Sequence, residues 1–172
     1  RLAYSRHYPA INWMTSYSGY VESVAKWWAA NVDKDWLSVR ARGYEILQRE
    51  DALKEIVRLL GPEALPDEEK LILDVARMIQ IGFLQQNALD PVDSYCAPDK
   101  QLLLLLVFID LYREAARLID GGVPCQAVLQ LPSLPVLQRA RTEIPDDHLD
   151  RLTELAERVR RELAEAAAPI RG

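Results

Sequence analysis

The sequence predicts an all-α fold, a helical bundle of about six helices. Apolar residues recur at three- and four-residue steps along nearly the whole chain, and no stretch sustains the two-residue alternation of a strand between turn residues. The 172 residues, 49% of them hydrophobic, are enough for one domain with its own core.

The first helix follows from Tyr17, Tyr20, Val21, Val24, Trp27 and Trp28, which share one face, and it ends near Asn31. Asp33 is placed to cap the next. Leu37, Ala41, Tyr44 and Leu47, then Leu53, Ile56, Val57 and Leu60, read as one long helix or two in series, stopped by Gly61 and Pro62. Glu63 and Ala64 fall in the loop beyond. Asp67, Glu68 and Glu69 put negative charge in the first turn of another helix, where the unpaired N–H groups favour it. Its buried face is Ile72, Val75, Ala76, Ile79 and Phe83. After Asn87 the pattern breaks at Asp90, Pro91, Asp93, Ser94 and Pro98. The run from Leu102 to Tyr112 is apolar all round at first, as suits a helix buried on every side, and Gly121 and Gly122 end that helix. Pro124, Pro132 and Pro135 punctuate a region of short helices. The last helix carries the stripe Leu149, Leu152, Ala156, Val159 and Leu163. Glu154 with Arg158 and Glu157 with Arg161 are spaced to pair across one turn of its solvated face.

Charge and motifs exclude several classes of function. The net charge is −5, from 21 basic and 26 acidic residues interleaved along the chain, which argues against a nucleic-acid surface. Cys96 and Cys125 have no CxxC or Cys/His spacing, so a disulfide framework or a zinc site has little support and a reducing, cytosolic setting fits. The longest apolar run, Leu102 to Ile109, is far shorter than the ~20 residues that cross a bilayer, and no signal-like stretch opens the chain. The chain starts at Arg1 rather than Met, and Arg1 to Tyr8 read as the tail of something upstream, as expected of an excised domain.

No phosphate-cradling, dinucleotide, zinc-protease or nucleophile-elbow motif is present, so the usual sequence routes to catalysis are closed. His7 and His148 lie far apart. Cys96 near Asp93 has no plausible His partner, which favours a structural thiol. The acidic cluster Glu63, Asp67, Glu68 and Glu69 fits either helix N-terminal chemistry on a solvated turn or a contact surface for a basic partner. Tyr4, Tyr8 and Trp13, close to Pro9, suit either core packing or a flat platform for a ring-shaped ligand.

Several stretches in order and in register resemble one known family. His7-Tyr8-Pro9-Ala10-Ile11-Asn12-Trp13 and Ser16-Tyr17-Ser18 look like the junction where the nucleotide-binding domain of V/A-type ATPase catalytic subunits passes into a helical C-terminal domain. Leu47-Gln48-Arg49-Glu50, Glu55 to Gly61, Val75-Ala76-Arg77-Met78-Ile79, Phe83 to Asn87 and Val92-Asp93-Ser94-Tyr95-Cys96 resemble the same family, over most of the chain as far as about Pro135. The resemblance implies a junction over residues 1–15 and a helical C-terminal domain over 16–172. It implies a parent subunit that hydrolyses or synthesises ATP in an upstream P-loop domain and couples this to rotation of a central stalk and to proton or cation transport. The chain alone, lacking a phosphate cradle, is not expected to be an enzyme or to hold a cofactor; Mg-ATP belongs to the parent. Tyr8 and Tyr95 fall where related subunits place aromatics against adenine. The turn Glu63, Ala64, Leu65, Pro66, Asp67, Glu68, Glu69 occupies the place of the acidic lever of the F-type catalytic subunit, which bears on the rotor. The implied partners are the non-catalytic B subunits and the central stalk, with no nucleic acid and no direct membrane insertion. The implied location is cytoplasmic, peripheral to the membrane through the assembled complex. A stand-alone helical interaction module without nucleotide is the competing expectation.

Overall fold

The computed structural model describes residues 20–86, 89–90 and 92–168. The junction over residues 1–15, and with it Tyr8, lies outside them. Seven α-helices occur in order among the described residues: α1 (Val21–Asn31), α2 (Trp36–Leu60), α3 (Asp67–Ile79), α4 (Pro98–Asp120), α5 (Cys125–Leu129), α6 (Leu134–Glu143) and α7 (Leu149–Ala166). Six of these are at least ten residues long and α5 has five, and the described residues contain no strand, in agreement with the predicted bundle.

The core is built on α4. Leu104, Phe108 and Leu111, spaced four and three apart, are fully buried, and α4 packs against α2, α3 and α7. Opposite it, α3 buries Leu71, Ile72, Val75, Ala76, Met78 and Ile79. Each large aliphatic side chain removed from water there contributes roughly 1.5–3 kcal/mol. The last helix places Leu152, Ala156, Val159 and Leu163 inside as its spacing predicts, and adds Leu155. Its surface ion pairs differ from expectation: Arg158 reaches Glu162 (2.8 Å) rather than Glu154, and Arg160 pairs with Asp110 of α4 (3.0 Å). Glu154 and Glu162 both stand one turn from Arg158, and pairs of this kind are worth only a few tenths of a kcal/mol, so spacing alone does not choose between them.

Three local expectations are corrected. Asp33 does not cap α2; its Oδ1 accepts from the N–H of Asp35 (2.6 Å), forming a turn that delays the helix to Trp36. The 36–60 stretch is a single helix, yet nothing after Leu53 is buried in it, and Ile56 and Leu60 of the predicted stripe are exposed. Leu59, next to them, is exposed as well, so among the described residues nothing covers this side of the last turns of α2. The core helix α4 begins at Pro98, with proline in the first turn where its missing N–H costs nothing.

The end of α3 is irregular. The helix continues into a π-helical turn over Gln80–Leu84, closed by the N–H of Gln85 donating to the carbonyl of Gln80 (2.8 Å). Gly82 lets this turn lie close against α4 and α6. A Cβ there would stand 2.9 Å from Phe108 Cζ and 3.1 Å and 3.3 Å from the backbone O and Cα of Gln138 in α6. Gly82→Ala is therefore expected to destabilise the chain by ~1–3 kcal/mol, because one of its neighbours is backbone and cannot swing away. Urea unfolding measures it, and a midpoint equal to that of the parent chain would contradict this packing.

Candidate functional site

The two regions singled out in the sequence lie beyond opposite ends of α3. The first is the turn between α2 and α3. Gly61 ends α2 at φ 81°, a backbone conformation that favours glycine, and its N–H donates to the carbonyl of Val57 (2.9 Å). Pro62–Ala64 then make one 3-10 turn, and Leu65 tucks into the interior at 4% exposure. Of the seven residues Glu63 to Glu69, Glu63, Ala64, Pro66 and Glu68 are exposed, Asp67 and Glu69 are half-buried and Leu65 is buried.

Asp67 serves the fold internally. Its Oδ2 accepts from the backbone N–H of Cys125 (2.9 Å), tying the start of α3 to the start of α5, and Oδ1 lies 3.4 Å from Lys70 Nζ. The Cys125 hydrogen bond, against some desolvation and with help from Lys70, holds the carboxyl below its ordinary range. Burial, with Asp67 and Asp74 close by, pushes the Cys125 thiol up to about 11, so it stays protonated and poorly nucleophilic at neutral pH.

The second region is the segment from Gln85 to Ala97, which carries Tyr95. It is braced by a buried ionic network that sequence reasoning did not find. Arg141 of α6 grips Asp93, with Nε 2.9 Å from Oδ1 and Nη2 donating to Oδ2 (3.0 Å). Its Nη1 donates to the carbonyl of Phe83 in the π turn (3.0 Å). Asp93 is 2% exposed and Arg141 7%, so this pair, one hydrogen bond and one closer ion contact, is withdrawn from water, where pairing offsets the desolvation of both charges. Lys100, with no exposed surface, donates from Nζ to the carbonyl of Arg141 (2.9 Å) and pairs with Asp146 (3.0 Å). The other Asp146 oxygen accepts from the N–H of Ala97 (2.7 Å).

Shorter links finish the brace. Asp90 Oδ1 accepts from the N–H groups of Val92 and Asp93 (2.8 and 2.9 Å), Gln86 donates to the carbonyl of Asp93 (2.8 Å), and Gln101 donates to that of Cys96 (2.7 Å). Cys96 is buried, and burial raises its thiol pKa, as suits a structural residue. Tyr95 emerges between the buried Asp93 and Cys96 at 67% exposure. Its ring is thus an exposed group on an anchored backbone. Tyr8, its expected partner, lies outside the described residues.

Lys100 and Arg141 left one faint signal in the sequence. Lys100 stands four residues before Leu104, and Arg141 four after Leu137, so both fall on faces whose spacing marks them as buried. A cation on such a face calls for an anion inside. Nothing in the sequence assigns that anion to Asp93 and Asp146. Among the described residues no group of three or more His, Cys, Asp or Glu is arranged to hold a metal ion, and no helix is long and apolar enough to cross a membrane.

Comparison with known proteins agrees with the resemblance. Residues 25–129 match the family model for the C-terminal domain of V and A type ATP synthase. The A subunit of the A-type ATP synthase of Hyperthermus butylicus is 50% identical over 167 residues, covering 96% of this chain and 28% of the relative. Its counterpart in Ignicoccus hospitalis is 46% identical over 165 residues (95% and 28%), and the one in Methanopyrus kandleri 43% over 159 residues (92% and 27%). The chain thus spans less than a third of the length of these relatives. With more than half of its residues inside the family match and an all-helical architecture to go with it, the chain belongs to the family of C-terminal domains of V and A type ATP synthase.

Proposed function

We propose that this domain couples the nucleotide state of a rotary ATPase catalytic subunit to the rotation of a central stalk, and through it to proton or cation transport. The observation that carries this reading is the position of α3. One buried helix has the Glu63–Glu69 turn at its start and, through the π turn, the braced Tyr95 segment at its end. A displacement imposed at either end travels along a rigid element rather than being absorbed by loops.

In this reading Tyr95, with Tyr8, packs against the adenine of Mg-ATP held chiefly by the rest of the subunit, and the Glu63–Glu69 turn faces the stalk. Phosphoryl transfer belongs to residues outside this chain, since no phosphate cradle occurs within it. Non-catalytic B subunits are the neighbours in the ring, nucleic acid plays no part, and the domain works in the cytoplasm, peripheral to the membrane through the complex. Coupling further requires that nucleotide favour one position of the domain over another.

Titration of the complete subunit with Mg-ATP tests the nucleotide side. Tyr95→Ala is expected to weaken binding about ten-fold, the loss of one base-stacking contact worth ~1–3 kcal/mol, while leaving the unfolding midpoint unchanged because the ring is exposed. Equal affinity in the Tyr95→Ala protein would remove Tyr95 from the pocket.

A further inference from the structure

We propose that the stalk-facing contact of this domain is apolar at its centre, with Ile56, Leu59 and Leu60 docking on an apolar patch of the central stalk that has a basic rim; this rests on the rotor-facing reading of the Glu63–Glu69 turn. Leu59 is 75% exposed, Leu60 69% and Ile56 41%. Single exposed aliphatics are ordinary, but these three stand at i, i+3 and i+4 on the last turns of α2 and so share one side of it. They directly precede the Gly61 turn, on a side of the helix that the described residues leave uncovered. No core requirement explains leucine at positions this open, and burial against a partner would take this apolar surface out of water.

The acids of the turn are poorly placed to lead the contact. Asp67 is committed to Cys125, Ala64 to Pro66 separate it from Glu63, and among the acids of the turn only Glu63 and Glu68 are exposed. Among the described residues neither Glu63 nor Glu68 has an ion-pair partner within 4.0 Å, whereas the nearby cations are occupied: Arg58 by Glu55 (2.6 Å), Lys54 by Glu50 (3.0 Å) and Asp51 (3.2 Å). The surplus negative charge beside the aliphatic ridge calls for a positive rim on the partner. This is the usual division of an interface into an apolar centre that carries most of the energy and a charged rim that steers and orients.

The test uses the complete subunit in its assembly with the stalk. A benzophenone amino acid at position 64, the exposed Ala64 of the same turn, reports by photo-cross-linking whether the turn touches the stalk. Coupling is read as ions moved per ATP in three complexes: unaltered, Leu59→Ser with Leu60→Ser, and Glu63→Gln with Glu68→Gln. The expected result is a cross-link to the stalk, at least a three-fold loss of coupling in the leucine variant at both low and high salt, and a change of less than two-fold in the glutamate variant. All replaced residues are exposed, so the unfolding midpoint of each variant should match the parent, which separates loss of contact from loss of fold. A cross-link together with intact coupling in the leucine variant, or with an equal or larger loss in the glutamate variant, overturns the apolar contact and leaves the rotor-facing reading standing. Absence of any cross-link from position 64 to the stalk overturns both.

Discussion

Arg141→Met is expected to cost the folded chain ~3–5 kcal/mol, the largest loss expected from any single polar replacement in this domain. The side chain makes three contacts at once, two to Asp93 and one to the Phe83 carbonyl. Removing it leaves the Asp93 carboxylate almost fully withdrawn from water beside a methionine, and a carbonyl of the π turn without its donor. Denaturant unfolding should show a lower midpoint with an unchanged slope, since the surface exposed on unfolding is the same. A loss under 1 kcal/mol would mean that water reaches Asp93 and that the pair is a surface feature. The double variant Arg141→Met with Asp93→Leu should lose less than Arg141→Met alone, because an apolar pair costs less than a buried carboxylate deprived of its arginine. Hydrogen exchange adds a local readout: protection of the Asp93 and Ser94 amides should fall in the single variant even where the rest of the bundle stays closed. This links stability to function, for Tyr95 then rides on a loosened backbone.

Lys100→Met ranks second, at ~2–4 kcal/mol. The ammonium has no exposed surface and serves two acceptors, the Arg141 carbonyl and Asp146. Methionine matches its stem in length and packing, so the loss isolates the charge. The cost should fall below that of Arg141→Met because Asp146 keeps 28% of its side chain in solvent and retains the N–H of Ala97. Since Lys100 binds the backbone of Arg141 itself, the two variants share one network. Combined, they should fall short of the sum of their separate effects, whereas strict additivity would show two independent braces.

Helix existence was legible because amphipathic periodicity is a local property. Leu152, Ala156, Val159 and Leu163 had to face one way whatever they packed against, and the unbroken apolar run from Leu102 to Ile109 within α4 marked a core element. Punctuation was equally plain at Gly61 and at Gly121. Periodicity misled at the end of α2, where Ile56 and Leu60 keep helical spacing with Leu53 yet stay exposed. Spacing tells which residues share a face, and only the packing of the other helices tells how far that face is covered. The same gap separated the site from its support. Tyr95 and the acidic turn stood out as letters, but the partners that fix them come from far along the chain: Asp67 holds Cys125, and Asp93 holds Arg141.

The sequence by itself determined that this chain is all-helical, which faces of its helices are apolar and to which family it belongs, because these depend on residue order and local spacing alone. The tertiary structure decided that Asp67 is spent inside the domain, that Leu59 and Leu60 stand in the open, and that one buried network of Asp93, Arg141, Lys100 and Asp146 anchors the Tyr95 segment. The physical reason is burial itself: whether a charge is paired or orphaned, and whether a leucine is core or contact, is set by what the fold brings against it from elsewhere in the chain.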